Sequence, residues 1–250
     1  MEINIEKSNN PTIQKSNNPI IYITFAKKRK MLKAVLFDMD GVIVDTEPLH
    51  RKAYFKMFEE VNIDVSEALY DSFTGQATLP ICRTLCQHFS ISETPENLVS
   101  IKRKHFKYLF ENDNELALLD GVHELIKDYH ANGLTLILAS SASMPNINRI
   151  FERFDLDKYF NAKISGADLK ASKPHPEIFI KAAELANEHG DNCMVIEDST
   201  NGIAAAKAAN IYCVGFKSPH SVNQNYSKAD RVIMSFDEIL FSKLTDSFPI

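Results

Sequence analysis

The sequence has no long apolar run and no excess of positive charge, and each shortage excludes a class of protein. The apolar stretch at residues 20–26 has seven residues, whereas a membrane-spanning helix needs about 20. Its basic residues follow the apolar stretch, where a secretory signal would carry them in front. The net charge of −5 leaves no electrostatic footprint for nucleic acid or an anionic membrane. We therefore expect a soluble globular chain that binds neither nucleic acid nor a membrane.

Cysteine is also scarce, with four in 250 residues. Cys82 and Cys86 are spaced by one helical turn, which could indicate a metal pair, but the sequence offers no second ligand pair in register. We predict that they are buried reduced thiols, like Cys193 and Cys213. Reduced thiols fit a cytoplasmic compartment.

The first 30 residues differ in composition from the rest of the chain. Residues 7–11 and 15–19 repeat Lys-Ser-Asn-Asn-Pro, and these residue types do not build a core. We predict a disordered extension at 1–30, with Met31 as the effective start of the fold. The basic run at 27–30 leaves a second interpretation open, a tag that binds a partner.

An apolar run at residues 34–37 predicts a short buried strand that ends on two carboxylates, Asp38 and Asp40. Gly41 follows and allows the backbone to turn. In an open α/β sheet, ligands bind at the carboxyl ends of strands, so both carboxylates would lie at the mouth of a site. Because neighbouring carboxylates repel each other, they need a cation, a proton or a positive side chain nearby.

Hydrophobic spacing divides the rest of the chain into two patterns. Residues 47–114 show helical periodicity and no convincing strand. From residue 115 onward, short apolar strands alternate with helices through brief connections, which is typical of a doubly wound parallel sheet. The sequence therefore predicts an α/β fold, a Rossmann-like parallel sheet core with an inserted all-helical domain. The charged run at 102–107 could meet an anionic substrate, although such a run is more often a solvated helix face.

Further polar residues recur where the predicted strands end or a helix is about to begin. Because the carboxyl ends of parallel strands share one edge, these residues can converge on the first carboxylate pair. They are Ser140, Lys173, Glu197 and Asp198.

The charge of this set indicates a metal. Its four carboxylates and one lysine leave a formal charge of −3, which cannot accommodate an anion without a cation. The ligands are oxygens with no His or Cys cluster, which favours Mg²⁺ over Zn²⁺. With Mg²⁺ bound, one protonated carboxyl would bring the site to neutrality and could act as a general acid.

These motifs, in this order and spacing, resemble the four motifs of the haloacid dehalogenase superfamily of phosphotransferases. The resemblance covers residues 31–240 and implies a core at 31–46 and 115–250 with a helical cap at 47–114. The string EDSTNGI at 197–203, together with His50, is similar to the β-phosphoglucomutase-like branch. That branch holds sugar-phosphate mutases and many phosphatases.

The resemblance also implies a role for each residue. Asp38 attacks phosphorus and forms an aspartyl-phosphate. Asp40 protonates the leaving oxygen and then takes a proton from the attacking water. Ser140 donates to the phosphoryl group, and Lys173 neutralises charge on it and on Asp38. The residues that would hold Mg²⁺ are Asp38, Asp40 through its main-chain carbonyl, Asp198 and, directly or from an outer position, Glu197.

Substrate choice is expected on the cap and beside the second motif. The candidate substrate-binding residues are His50, Gly75, Gln76 and Ser141. We expect a small phosphorylated metabolite; sugar phosphates, phosphoglycolate, nucleotides and pyrophosphate all stay open. We also expect a monomer whose cap closes over the site on hinges near 45–46 and 114–118.

Several activities remain open on this frame, and phosphomonoester hydrolysis is favoured. β-Phosphoglucomutases hold a distal phosphate with a cap Arg and with a Lys after the second motif, and the matching positions here are the uncharged Thr78 and Ser143. Arg83 or Lys102 could substitute for them. A phosphonatase would need a Schiff-base lysine on the cap, for which the candidates are Lys52 and Lys56. A non-catalytic phosphate-ligand binding regulator is the alternative from another class.

Overall fold

The computed structural model describes residues 31–73, 78–218 and 223–244, so the predicted extension at 1–30 lies outside the described residues. The strands are β1 (Ala34–Phe37), β2 (Thr135–Ser140), β3 (Ala162–Ser165), β4 (Cys193–Glu197), β5 (Tyr212–Phe216) and β6 (Arg231–Ile233). They form one six-stranded sheet in the order β3-β2-β1-β4-β5-β6. Every neighbouring pair is parallel.

Helices cover both faces of this sheet. They are α1 (Glu47–Glu60), α2 (Glu67–Asp71), α3 (Thr78–Phe89), α4 (Pro95–Asn112), α5 (Val122–Ala131), α6 (Met144–Arg153), α7 (Glu177–Leu185), α8 (Thr200–Ala208) and α9 (Phe241–Leu244). Along β1, Val35 and Phe37 belong to one core and Ala34 and Leu36 to the other, as the alternation of a strand requires. Helices α5 and α6 close the first core, and α7 and α8 close the second. The prediction of a doubly wound parallel sheet is confirmed.

Helices α1 to α4 lie between β1 and β2 in the sequence, and together they are called the insert. The insert has a core of its own, which includes Tyr54, Met57 and Leu85. Phe106 and Phe110 of α4 pack instead into the first core of the sheet. The insert is therefore a separate packing unit that is joined to the sheet layer at one end.

The two segments that lead into and out of the insert run side by side. Val44 forms a bridge with Leu118, and the amide of Leu119 donates to the carbonyl of Ile43 at 2.9 Å. These contacts place both connections next to the end of β1, close to the first carboxylate pair.

Helix α7 ends earlier than its periodicity predicts. The spacing of apolar residues favours a helix over 176–189 that Gly190 ends. In the structure Asn187 has a φ of 54°, and the amide of Glu188 donates back to the carbonyl of Ala183 at 3.1 Å. This is a left-handed helix terminus, which asparagine tolerates better than most residues. Asn187 therefore ends α7 before Gly190 is reached.

The cysteines are free thiols. Cys82, Cys193 and Cys213 are buried, as predicted, whereas Cys86 is only half-buried and its thiol donates to the carbonyl of Glu93 at 3.4 Å. Within the described ranges, no helix combines the length and the apolar character that crossing a membrane requires.

Candidate active site

The predicted site residues meet where three neighbouring strands end. Strand β1 lies between β2 and β4 in the sheet, with Phe37 in register with Leu138 and with Ile196. Asp38 directly follows β1, and its amide donates to the carbonyl of Ile196 at 3.0 Å. Strands β2 and β4 end on Ser140 and Glu197. The sheet thus brings these side chains to one edge, where a doubly wound fold binds its ligands.

At this edge Lys173 connects the carboxylate of Asp38, which follows β1, with that of Glu197, which ends β4. Its Nζ donates to the carboxylate of Asp38, to Oε1 of Glu197 at 2.7 Å and to the carbonyl of Ala139 at 3.0 Å. Its side chain is 7% exposed, and Nζ lies 4.9 Å from the ring centroid of Phe179. Burial alone would lower the pKa of Lys173, but the two carboxylates outweigh it and raise that pKa. Lys173 is therefore a fixed positive charge at neutral pH.

The carboxyl of Asp38 has a raised pKa in spite of its contact with Lys173. Burial raises the pKa of its carboxyl well above the usual range, Lys173 opposes the rise, and Glu197 and Asp198 add to it. The carboxylate form of Asp38 thus depends on the lysine beside it. Additional positive charge at this edge would favour ionised Asp38 further.

Both carboxylate oxygens of Glu197 accept hydrogen bonds from groups within the chain. One carboxylate oxygen accepts from Lys173, and the other accepts from the amide and the hydroxyl of Ser199, each at 2.9 Å. The Ser199 hydroxyl also accepts from the amide of Gly202 at 3.0 Å, which caps α8. Gly202 packs so closely that a Cβ there would overlap the Glu197 carboxylate. This arrangement holds Glu197 against Lys173.

Asp40 lies on the insert side of the same edge and is half-buried. The hydroxyl of Thr46, the residue before α1, donates to its carboxylate. Burial raises the pKa of Asp40, while this hydrogen bond and the charge of Lys102 oppose the rise. A carboxyl with a raised pKa can be protonated when needed, which suits a general acid.

Asp198 packs directly onto the turn that follows Asp40. Gly41 has a φ of 83°, and a Cβ at this position would overlap the Asp198 carboxylate. The charge of Asp198 also contributes to the raised pKa of Asp38. Both the positive φ and the close approach require glycine at position 41.

This donor set fits Mg²⁺. Among the described residues no group of three or more His, Cys, Asp and Glu side chains forms a ready metal cluster. Mg²⁺ commonly uses one or two carboxylates and fills its other positions with waters and substrate phosphate. Asp38 and Asp198 could supply the carboxylates, and the turn at Asp40–Gly41, against which Asp198 packs, could supply a main-chain carbonyl. The oxygen-only set does not suit a thiophilic metal.

The two serines at the end of β2, Ser140 within the strand and Ser141 after it, differ in burial. Ser140 is buried, and its hydroxyl accepts from the amide of Ala142 at 3.1 Å. Ser141 is exposed, and its Cα would lie 3.2 Å from a Cβ at Gly166. The loop after β2 is therefore packed against the turn after β3.

The insert contributes a pair of basic side chains near Asp40, the buried Lys102 and the half-buried His50. The Nζ of Lys102 lies 2.6 Å from Nδ1 of His50, and the His50 ring stacks on Phe106 with centroids 4.3 Å apart. Burial lowers the pKa of Lys102 to about 8, against the raising effect of Glu47 and Asp40. Burial and then Lys102 lower the pKa of His50 well below its usual value. Neutral His50 therefore accepts a hydrogen bond from Lys102.

The prediction of a solvated face for the run at 102–107 is wrong for Lys102, which is 4% exposed. The chain contained a signal for this: Lys102 lies four residues from both Leu98 and Phe106, on the apolar stripe of α4. Thr46 and Ser199, which hydrogen-bond to Asp40 and Glu197, were also missed, because a hydroxyl next to a motif carries no distinctive pattern.

The remaining substrate-side predictions have different outcomes. His50 faces Lys102 and Phe106 from α1, so it lies on the side of the insert nearest Asp40. Gly75 and Gln76 lie outside the described residues.

Known proteins resemble this chain in sequence. The model of the hydrolase family described as haloacid dehalogenase-like hydrolase matches residues 32–210. A phosphorylated carbohydrates phosphatase of Thermotoga maritima is 33% identical over 195 residues, which are 77% of this chain and 88% of that protein. β-Phosphoglucomutase of Bacillus subtilis is 28% identical over 190 residues, 74% of this chain and 83% of that protein.

A solved structure gives the same result for the fold. CbbY from Rhodobacter sphaeroides in complex with phosphate superposes with a TM-score of 0.76 at 26% identity, over 84% of this chain and 96% of that chain. The resemblance to the β-phosphoglucomutase-like branch is confirmed, and the chain belongs to the haloacid dehalogenase-like hydrolases.

Proposed function

We propose that this protein is a Mg²⁺-dependent phosphatase that hydrolyses a small phosphomonoester, such as a sugar phosphate, through an aspartyl-phosphate. The observation that carries the proposal is the buried contact of Lys173 with Asp38 and Glu197 at the strand edge that also holds Asp40 and Ser140. The name of the Thermotoga maritima relative supports a phosphorylated carbohydrate as the substrate class.

Asp38 is the proposed nucleophile. One of its carboxylate oxygens forms a bond to phosphorus while the bond from phosphorus to the leaving oxygen breaks. Lys173 supports this step in two ways. Its charge opposes the rise in the pKa of Asp38 and so favours the ionised nucleophile, and its Nζ can donate to the transferring phosphoryl oxygens.

Asp40 is the proposed general acid and base. In its protonated form it gives a proton to the leaving oxygen; as a carboxylate it then takes one from the water that attacks phosphorus. Burial favours the protonated form, and Thr46 and Lys102 favour the carboxylate. The balance between these opposing contacts suits a group that must hold and release a proton in one cycle.

Asp38, Asp198 and the main-chain carbonyl of Asp40 would hold Mg²⁺. The ion supplies positive charge that offsets the phosphoryl oxygens and the surrounding carboxylates. Glu197 is proposed to act on Lys173 rather than on the metal, since both of its oxygens already accept hydrogen bonds.

The insert, residues 47–114, is the proposed cap. Its paired Lys102 and His50 lie near Asp40, so they would border the leaving group of a bound substrate. Gly75, Gln76 and Ser141 remain candidates for substrate contact. The two connecting segments, which pair at Val44 and Leu118, are the proposed hinge of the cap. They contain both covalent connections between the cap and the core.

Mutase chemistry remains the alternative. Thr78 and Ser143 are uncharged, and neither can hold a distal phosphate as an arginine or lysine would.

Lys52 and Lys56, the candidate Schiff-base lysines of a phosphonatase, are exposed on α1, where nothing desolvates the amine. A purely regulatory binder is disfavoured because all the side chains that the chemistry needs are present.

The test is phosphate release from a panel of phosphomonoesters, pyrophosphate and β-glucose 1-phosphate. It is run with Mg²⁺ and with EDTA, on the natural protein and on Asp38→Asn, with Lys52→Gln as a matched surface control. We expect Mg²⁺-dependent release in the natural protein and the control, and a loss of about 10⁴-fold or more in Asp38→Asn. Conversion of glucose 1-phosphate to glucose 6-phosphate without phosphate release would instead establish the mutase.

A further inference from the structure

One arginine of the sheet layer makes polar contacts with the end of the insert. Arg153 is the last residue of α6, and its guanidinium donates to three main-chain carbonyls. These are the carbonyls of Phe110 at 3.0 Å, Asp113 at 2.6 Å and Leu116 at 3.3 Å. Phe110 lies in the last turn of α4, whereas Asp113 and Leu116 lie in the return segment, residues 113–119, which leads back to the sheet layer. A single side chain therefore ties both parts to α6.

The charge of Arg153 suits the end of α4. The last four carbonyls of a helix have no intrahelical partner, and the C-terminal end of a helix favours positive charge. Helix α4 has no basic residue in its own last turn. Arg153 therefore supplies from α6 the cation that α4 lacks. Its two terminal nitrogens divide the contacts, since Nη1 serves α4 and Nη2 serves the return segment.

Aromatic packing adds to these polar contacts. The guanidinium carbon of Arg153 lies 5.2 Å from the ring centroid of Phe110 and 5.6 Å from that of Phe154, which is within the range of a cation–π contact. Phe106 and Phe110 also pack into the first core of the sheet. The last two turns of α4 are thus fixed to the sheet layer through side chains and through a main-chain carbonyl.

The placement of α4 determines where Lys102 lies. Lys102 is eight residues before Phe110 on the same helix, which is a rise of about 12 Å. Its Nζ lies 2.6 Å from Nδ1 of His50, and its charge opposes the raised pKa of Asp40. Because the backbone hydrogen bonds of a helix hold its turns together, a shift of the last turn of α4 would also displace Lys102. The contacts at the end of α4 therefore bear on the surroundings of Asp40.

We propose that Arg153 is a positioning residue, which holds the last turn of α4 and the return segment against α6 and so sets how the insert presents Lys102 and His50 to Asp40. Arg153 acts through α4 and is assigned no contact with the substrate. The catalytic consequence rests on the proposed function, whereas the placement of α4 concerns contacts within the chain and can be tested without any reaction.

The placement is tested by ¹⁵N NMR of the His50 ring in the full chain without substrate, with the signals assigned by comparison with His50→Gln. Nδ1 accepts from Lys102, so its chemical shift reports that contact. In Arg153→Gln we expect the Nδ1 signal to move towards its position in Lys102→Met, which lacks the contact. Arg149→Gln is the matched control, because Arg149 lies on the same helix but donates within it, to Asn146 at 2.9 Å. An unchanged signal in Arg153→Gln, or an equal change in both variants, would overturn the proposal.

The catalytic consequence is tested with Mg²⁺ by measuring kcat/KM for a sugar phosphate and for p-nitrophenyl phosphate, well below the unfolding temperature. A misplaced insert should harm most the substrate that depends on contacts with it. We expect the ratio of sugar phosphate to aryl phosphate to fall about tenfold or more in Arg153→Gln and to stay unchanged in Arg149→Gln. An equal loss for both esters, or no loss, would show that Arg153 only stabilises the fold.

Two further outcomes are also decisive. If the natural protein hydrolyses neither ester, the proposed function fails, while the NMR measurement still decides the placement of α4. If Arg153→Gln does not fold, Arg153→Lys replaces it in both measurements. A lysine keeps the charge but presents its donors from one atom, so it should move both readouts in the same direction by a smaller amount. Natural values in that variant would overturn the proposal.

Discussion

The side chain of Lys173 is 7% exposed and Lys102 as a whole residue is 4% exposed, yet their pKa values move in opposite directions. Two carboxylates accept hydrogen bonds from Lys173, and its pKa rises. Lys102 contacts a neutral histidine and two aromatic rings, with carboxylates only at a distance, and its pKa falls to about 8. Burial is common to both lysines, so the direct partners decide the sign.

The two environments also suit different tasks. A lysine whose charge is permanent can neutralise a nucleophile and a phosphoryl group through a whole catalytic cycle. A lysine that titrates near neutral pH changes the charge next to Asp40, whose own protonation is central to the proposed reaction. The sheet edge therefore carries the fixed charge, and the insert carries the adjustable one.

The largest expected effect on stability is from Lys173→Met. This change leaves two buried carboxylates without their cation, which should lower the free energy of unfolding by about 3–5 kcal/mol at pH 7. The loss should be smaller at pH 5, because without the lysine the pKa of Asp38 rises further and its protonation removes part of the uncompensated charge. Urea unfolding at both pH values measures this; an equal loss at each would argue against unpaired charge as the cause.

Gly202→Ala tests the same ion pair without removing a charge. The added Cβ would overlap the Glu197 carboxylate, so Glu197 must move away from Lys173. Overpacking of this kind costs about 1–3 kcal/mol. Thermal unfolding measures the cost, with Ala208→Gly at an exposed position of the same helix as a control for helix propensity. A Gly202→Ala protein as stable as the natural one would show that the carboxylate can leave without consequence.

Lys102→Met should have the opposite sign. A pKa of about 8, against about 10.4 in the unfolded chain, means that folding disfavours the charged form by up to about 3 kcal/mol. Loss of the His50 hydrogen bond and of the ring contacts offsets part of this, so a net gain of about 1–2 kcal/mol is expected at pH 7.

The pH dependence of that gain follows from the lowered pKa. Below pH 8 both folded and unfolded chains hold the proton, and the variant keeps its full advantage. As pH rises from 8 towards the unfolded value, the unfolded chain binds more protons than the folded one, so the natural protein gains stability and the advantage disappears. Urea unfolding at pH 7 and pH 9.5 measures it, with Lys56→Met as the exposed control. An advantage that grows with pH would contradict the comparison.

The sequence predicted most of the site residues at the sheet edge but few of those that the insert contributes. Asp38, Ser140, Lys173 and Glu197 could be placed together because each follows an apolar strand or precedes a helix, and parallel topology aligns such positions. The contact of Lys173 with Asp38 was implied by the family resemblance, whereas the contact of Ser199 with Glu197 was not predicted. Roles for these residues remain proposals, although the fold and the family are established.

Lys102 was harder because its role depends on packing between separate helices. Its pairing with His50 joins residues 52 positions apart, and local periodicity contains no information on such contacts. The end of α7 is a milder case of the same kind, since Asn187 and Gly190 are both reasonable helix terminators and only the backbone geometry distinguishes them.

Ser199→Ala should have the smallest effect and separates the hydroxyl of Ser199 from the charge of Lys173. The change removes one hydrogen bond to Glu197 and the cap of α8, while Lys173 and the amide of Ser199 still bind the carboxylate. A loss of about 1–2 kcal/mol is expected, mostly from the cap. Ser66→Ala removes a similar cap from α2 without touching a carboxylate, so the difference between the two variants in urea unfolding isolates the hydrogen bond to Glu197. If that difference in unfolding free energy approached the loss in Lys173→Met, the hydroxyl of Ser199 rather than Lys173 would be the main stabiliser of Glu197. The contrast between the two buried lysines could then no longer be attributed to their carboxylate partners.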